Sequence, residues 1–262
     1  MTALEASWQF SNAITRCPAS SVVNALRSVD AGEPDYELLL EHHADYVTVL
    51  RSAGLAVTEL EALMEFPDAL FVEDTALCLP QGAILMKPFA PSRFGEVSFI
   101  EPILRQFFDD VRTIQGHGSI EAGDILTTCR EVLVGRSTRT HKSAVKELRR
   151  ILECWGHSLR EVEVPKGVLH FKTDCSLLNT NTILSTERLA ATGIFKDYDV
   201  VLTCKGEEAA ANAIRCNDQV IMAAGFVKTA KKLRELGYSV IEVANSECAK
   251  IDGGMSCLSL RF

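Results

Sequence analysis

Three stretches decide the fold: FVEDTALCLPQGAILMKP at 71–88, IEAGDILTTCREVLVGRS at 120–137 and LHFKTDCSLLNTNTILST at 169–186. Each opens on a turn rich in acids or polar groups, continues as a short apolar strand, turns again and ends in a second apolar strand. They read as copies of one unit, and a unit that exposes an apolar face must stack on its copies or close with them. Fainter copies lie at 210–225, AANAIRCNDQVIMAAG, and across the two ends of the chain. There KIDGGMSCLSLRF, 250–262, needs the early strand FSNAITRC, 10–17, as its neighbour.

Helices are expected between the copies. Tyr36, Leu39, Leu40, His43, Val47 and Leu50 share one helical face, as do Val145, Leu148, Ile151, Leu152 and Trp155, with Lys146, Glu147, Arg149 and Arg150 turned outward. Each helix leads through a glycine into another strand, in SAGLAVTEL, CWGHSLREVEV and again in TAKKLRELGYSVIEVA. The recurring order strand, strand, helix, strand predicts a radially repeated α/β body rather than a doubly wound sheet. Neither G-x-G-x-x-G nor a phosphate-binding G-x-x-x-x-G-K-[ST] occurs. Radial repetition brings the loops of separate units to one central mouth.

With 262 residues, 47% of them apolar, the chain can bury a full core, and it is read as one domain over 1–262. Its formal charge of -8 disfavours a broad nucleic-acid or anionic-membrane surface and tolerates a small cationic substrate. No window approaches a membrane span, and MTALEASWQFSNAI lacks the pattern of a secretion signal, so cytoplasmic residence is expected. Nine cysteines without a C-x-x-C pair read as reduced thiols.

One of those thiols stands apart. Cys257 closes the stretch DGGMSC, 252–257, where two glycines beside an acid mark a turn with particular backbone demands. Covalent catalysis by cysteine needs a thiolate, a proton-transfer partner and a group that orients that partner. Cys257, His170 and Glu121 fit these roles, each at a turn beside a strand of a separate repeat. An imidazole in the apolar run GVLHFK, 167–172, is by default structural; His42, His141 and His157 sit on helix faces or ends, His43 faces the apolar side of its helix, and loop residue His117 is the rival. Glu121 and Asp124 bracket a glycine, and Glu73 and Asp74 are read as recurring in register with Glu121. Buried carboxylates need partners, which a guanidinium or ammonium ligand would supply. A zinc centre from Cys257, His170 and an acid is the weaker alternative, because no pair has close metal-ligand spacing.

FPDALFVED, SIEAGD, GRSTRT, VLHFKT and KIDGGMSC, in this order, resemble the dimethylarginine dimethylaminohydrolase family of the guanidino-modifying superfamily, over a likeness running from Ile14 to Phe262. The resemblance implies a five-fold pseudosymmetric α/β propeller of ββαβ units. It also implies Cys257 as nucleophile, His170 as general acid and base, and Glu121 as its carboxylate partner. Asp74 is implied to grip the guanidinium, with Glu73 and Asp68 in support and Phe71 beside them. Arg93 and Arg139 are implied to hold the substrate α-carboxylate, as a guanidinium fork suits a carboxylate. Leu26 resembles a lid residue, and Ile251 a position whose carbonyl faces the α-amine. The EAGD sequence differs from the two-glycine version common in arginine deiminases, and the chain is too short for their extra helical module.

The implied reaction is hydrolysis of dimethyl- and monomethylarginine to citrulline and the methylated amine, without metal or organic cofactor. Arginine deimination, amidino transfer to an amine, and guanidino binding without catalysis are the alternatives. The implied partner is a small guanidino amino acid, with the protein a monomer or homodimer and zinc a conceivable inhibitor.

Overall fold

A computed structural model describes residues 7–262; the reading of residues 1–6, including the start of the chain as a non-signal, lies outside the described residues. Fifteen strands and six helices follow one another as β1 (Asn12–Arg16), α1 (Tyr36–Ser52), β2 (Ala56–Leu60), β3 (Ala76–Leu79), β4 (Gly82–Leu85), α2 (Glu96–Leu104), β5 (Val111–Thr113) and β6 (Ile125–Thr127). The order continues with β7 (Val132–Arg136), α3 (Lys142–Cys154), β8 (Leu159–Glu163), β9 (Cys175–Leu177), β10 (Thr182–Ser185), α4 (Glu187–Ala190) and β11 (Asp199–Leu202). It ends with β12 (Ile214–Cys216), β13 (Gln219–Ala223), α5 (Val227–Glu235), β14 (Ser239–Val243), α6 (Ser246–Ala249) and β15 (Leu260–Arg261).

The strands form five three-stranded sheets, β3-β4-β5, β6-β7-β8, β9-β10-β11, β12-β13-β14 and β15-β1-β2. In every sheet the inner strand runs antiparallel to the middle one, and the outer strand runs parallel to it. A tight turn suffices for the first connection; the second needs a crossover, supplied by α1, α2, α3, α4 or α5. The repeat seen in the sequence is therefore the blade of a five-bladed α/β propeller. Inner strands meet around the axis, β6 on β9, β9 on β12 and β15 on β3.

The two ends of the chain close the ring as expected. Ile14 pairs with Leu260 and Ala13 with Arg261, while Asn12 N donates to Phe262 O at 2.7 Å and Phe262 N to Asn12 O at 3.0 Å. The Phe262 ring seals the joint against Phe107 and Phe108, with centroids 5.1 and 4.7 Å away.

On α1 the predicted face is buried at Leu39, His43, Val47 and Leu50, and Tyr46, absent from that reading, is fully buried. Its hydroxyl donates to Met255 O at 2.9 Å and shares a 2.7 Å bond with Ser259, tying the helix to the loop of Cys257. All nine cysteines are free. Among the described residues no helix is long and apolar enough to cross a membrane.

Candidate active site

Each inner strand is preceded by a single 3-10 turn, at Val72–Thr75, Ala122–Asp124, Phe171–Thr173, Glu208–Ala211 and Ser256–Leu258. Glu121 and His170 hold the same place, one residue ahead of their turns. Phe71 holds that place in the first blade, so Asp74 lies inside its turn and out of register with Glu121. The register suggested by the sequence is corrected accordingly. Position in the turn decides which way an acid faces: Glu121 backs an imidazole, whereas Asp74 lines the mouth.

Leu26, Asp68, Phe71, Asp74, Arg93, Arg139, His170, Ile251 and Cys257 surround one small cavity of about 30 Å³. Glu121, wholly buried, stands behind His170; its Oε2 lies 2.6 Å from His170 Nε2 and its Oε1 accepts from Phe89 N at 2.8 Å. Glu73 goes elsewhere. Its Oε1 pairs with Lys172 at 2.6 Å and Arg261 at 2.9 Å, on the wall of a second cavity of about 330 Å³ along the propeller axis. His117 lies exposed on its loop, away from the mouth.

Burial opposes protonation of His170, but the charge of Asp74, the bond to Glu121 and the charge of Asp124 outweigh it and raise its pKa to about 9. Burial likewise opposes ionisation of Asp74, yet His170 and Arg93, with bonds from Arg93 and Gly123 N, lower its pKa to about 2. Cys257 is pushed up to about 11 by burial and by the negative charges of Glu73 and Asp74. The resting pair at neutral pH is thus imidazolium and thiol. A cation bound at Asp74 favours the thiolate by offsetting the same negative charge.

Close approach explains the glycines. A Cβ on Gly123 would lie 2.8 Å from Asp74 Oδ1 and 3.0 Å from the His170 ring, so only glycine lets these two groups converge over the turn. In the DGGMSC stretch the unusual backbone falls on Asp252, with φ of 61°, and not on either glycine. Gly253 and Gly254 are there because a Cβ would reach 2.4 Å from the Phe71 ring and 2.3 Å from the Asn212 amide.

Asn212 is a site residue that sequence reading missed. Its Oδ1 accepts from Ser256 N at 3.0 Å, and its Nδ2 lies 3.9 Å from Cys257 Sγ. The signal was its place after the fourth turn, where the neighbouring blades also bury a polar residue, Asp174 and Ser259. Glu96 was missed too; buried on the first turn of α2, it holds Arg93 through both oxygens.

The two arginines differ. Arg93 is buried and bonded to Asp74 at 2.7 Å as well as to Glu96, whereas Arg139 is partly exposed, 3.4 Å from Glu121 and stacked over Phe89. Leu26 N donates to Asp68 Oδ1 at 3.0 Å, which sets the early loop over the mouth, and the Asp252 carboxylate accepts from Ser28 N and Oγ.

For a metal, the arrangement differs from the expected alternative. Ligand atoms of Asp74, Glu121 and His170 lie within 4.8 Å of one another, and Cys257 is not in that group. All three are already engaged, Asp74 by Arg93 and Gly123, and Glu121 by His170.

On a five-bladed propeller, a thiol and a charged imidazole lining one acid-rich mouth define the guanidino-modifying class. The family model described as arginine deiminase matches residues 63–201. The N(G),N(G)-dimethylarginine dimethylaminohydrolase of Pseudomonas aeruginosa is 40% identical over 97% of this chain and 100% of its own. A protein of the same name from Streptomyces coelicolor is 29% identical over 95% of this chain and 96% of its own. The solved structure of the P. aeruginosa protein as a Cys-to-Ser variant complexed with citrulline matches with a TM-score of 0.94 at 40% identity, over 97% of this chain and 100% of that one. The chain belongs to the N(G),N(G)-dimethylarginine dimethylaminohydrolase branch of the arginine deiminase family.

Proposed function

We infer that this chain hydrolyses N-omega,N-omega-dimethyl-L-arginine and N-omega-monomethyl-L-arginine to L-citrulline and dimethylamine or methylamine, with Cys257, His170 and Glu121 as its catalytic groups. The observation that carries the assignment of roles is geometric: Cys257, His170 and Asp74 line one cavity, with Glu121 Oε2 2.6 Å behind His170 Nε2, and these acids raise the pKa of His170. Asp74 takes the cationic guanidinium, which weakens the hold of the Cys257 proton. That proton passes to solvent and the thiolate attacks the guanidinium carbon. The bond from that carbon to the methylated nitrogen breaks as His170 donates its proton to the departing amine. This leaves an S-alkylthiouronium on Cys257. His170, now neutral, takes a proton from water, whose oxygen attacks the same carbon. The carbon–sulfur bond breaks, the added hydroxyl gives its proton to the departing thiolate, and citrulline leaves with the thiol restored. Glu121 orients the imidazole and supports its charge throughout.

At the amino-acid end, Arg139 and the remaining donor of Arg93 take the α-carboxylate. Asp68 and Leu26 shape the lid, and the Ile251 carbonyl faces the α-amine. Glu73 supports Asp74 from the axial side, through the ion pairs that fix its own turn. Unmodified arginine leaves the space for methyl groups unfilled, at roughly 1–3 kcal/mol of discrimination. The reaction is placed in the cytoplasm, where free thiols stay reduced, in one catalytic domain acting as a monomer or homodimer.

The test is a product assay with mass spectrometry. Wild-type protein quenched during turnover should carry the adduct on Cys257, and Cys257→Ala should carry none and form no citrulline. An active alanine variant would refute the covalent route. Ammonia from arginine as the main product would move the chain to deimination, transfer to an added amine to amidino transfer, and binding without citrulline to a non-catalytic role.

A further inference from the structure

We propose that Glu96 is a positioning residue for the reaction, holding the Arg93 guanidinium edge-on so that Arg93 both neutralises Asp74 and offers one remaining N–H to the α-carboxylate of the substrate. The proposal rests on the reading of Asp74 and Arg93 as substrate-binding groups.

The geometry is specific. Arg93 Nε donates to both oxygens of Glu96, at 3.0 and 3.1 Å, and Nη2 donates to Glu96 Oε2 at 2.8 Å. The second hydrogen of Nη2 goes to Phe71 O at 2.9 Å, with a longer contact to Asp68 O at 3.5 Å. Nη1 donates to Asp74 Oδ2 at 2.7 Å. A guanidinium has five N–H groups, so these bonds leave one, on Nη1, without an acceptor among the described residues. Arg93 lines the mouth, which makes that N–H the one available to a ligand.

Glu96 is suited to this hold because it cannot move far. It is the first residue of α2 and is buried, and the preceding Gly95 is packed so closely that a Cβ there would come 2.4 Å from the Phe66 ring. Arg93 sits in the short turn Pro91–Arg93 just before the helix. Burial pushes the Glu96 carboxyl up, and Arg93 opposes this by charge and hydrogen bonds. Arg93 itself is held well above its ordinary value by Glu96 and Asp74, against burial. Swinging Arg93 away would strand two buried carboxylates, so it stays docked when substrate arrives.

The consequence for substrate is an allocation of donors and acceptors. Asp74 accepts Arg93 on Oδ2 and Gly123 N on Oδ1, which leaves a second lone pair on each oxygen for the incoming guanidinium. Without the charge of Glu96, Arg93 can turn onto Asp74 with both ends of its fork. It then competes with the substrate for those lone pairs and withdraws its N–H from the carboxylate. The loss falls on binding at both ends of the substrate while Cys257 and His170 remain intact.

The experiment compares wild type, Glu96→Gln and Glu96→Asp on N-methylarginine and on N-methylagmatine, which lacks the carboxylate. Glu96→Gln should raise KM for N-methylarginine about tenfold and for N-methylagmatine about threefold, with kcat changed less than about threefold, and should narrow the preference for the carboxylate-bearing substrate by about threefold. Glu96→Asp, which keeps the charge at shorter reach, should recover part of both effects. Equal losses on the two substrates, or a lower kcat at unchanged KM, would overturn the proposal. If the variants fail to fold, nuclear magnetic resonance on wild type decides: the protected Arg93 Nε–H signal should persist when citrulline is added, and its loss would show Arg93 leaving Glu96. A wild type that does not turn over N-methylarginine sinks the hydrolase reading instead, and that outcome is distinct from every one above.

Discussion

The two cavities along the propeller axis are built from the same turns and have opposite characters. The larger, about 330 Å³, is walled by Trp8, Phe10, Pro80 and Phe108 and floored by the Glu73–Lys172–Arg261 cluster; the smaller, about 30 Å³, holds Asp74, His170 and Cys257. Adjacent residues face opposite ways, Glu73 to the axis and Asp74 to the mouth, Ser256 to the axis and Cys257 to the mouth. Volume therefore does not locate the chemistry. The larger cavity contains thiols as well, Cys78 and Cys175, and burial raises both, Cys78 to about 12. What it lacks is an imidazole to exchange protons with them. Cys257 is raised almost as far, but it shares its cavity with a charged His170 and with an acid ready to take a cation.

The sharpest way to break this contrast is at His170. Replacing it by Ala should lower kcat by about 10²–10⁴, the usual worth of a positioned acid and base, in a protein that still folds but melts earlier because the buried Glu121 and Asp74 lose a cationic partner. Cys175→Ala in the axial wall should cost stability alone and leave kcat unchanged. Citrulline release by the folded His170→Ala protein at the wild-type rate would erase the distinction between the cavities.

A smaller effect is expected from pH. His170 is raised from 6.5 to about 9, so its contribution to stability is complete below its unfolded pKa and is lost as pH rises through 9. Asp74 is lowered from 3.8 to about 2, so its contribution is present above 3.8 and fades as pH falls through 2. Between these limits the acid form of His170 is available for the leaving amine. The profile of kcat, which reports the substrate complex with Cys257 already ionised, should therefore stay high through neutral pH and fall as His170 loses its proton toward about 9, whereas kcat/KM should rise with pH because the free Cys257 thiol must first give up its proton. A descending limb near 6.5 would mean that the buried acids do not hold the proton on His170.

These contrasts were only partly legible in the sequence. The ββαβ repeat was visible because inner and middle strands are short apolar runs broken by turns, and a run such as GAIL at Gly82–Leu85 is buried on both faces. Cys257, His170 and Glu121 could be picked out because each stands at the same kind of turn. The direction of a side chain within a 3-10 turn was not legible, since Glu73 and Asp74 are neighbours in sequence while the cavities they face differ wholly. Nor was Glu96, whose role depends on α2 folding back on the turn of Arg93. The reading of the glycines before Cys257 missed for a related reason: sequence marks where backbone is unusual, and close packing against Phe71 and Asn212 is a fact of tertiary structure.

The smallest expected effect is that of metal removal, and it sharpens the same comparison from the other side. Three ligand atoms of Asp74, Glu121 and His170 lie within 4.8 Å, a spacing a divalent ion would accept. To bind there, the ion would have to remove the proton that the acids hold on His170 up to about 9 and break the bond between Asp74 and Arg93. It would then stand beside a guanidinium that stays charged at any working pH, and the repulsion opposes binding. The acid cluster is thus balanced by protein cations, and its remaining lone pairs suit a guanidinium. Exhaustive chelation under reducing conditions should leave kcat and KM within error of the untreated protein. Activity lost on chelation and restored by one equivalent of a divalent metal would show that the mouth is a metal site, and that the pairing of Arg93 with Asp74 yields to it.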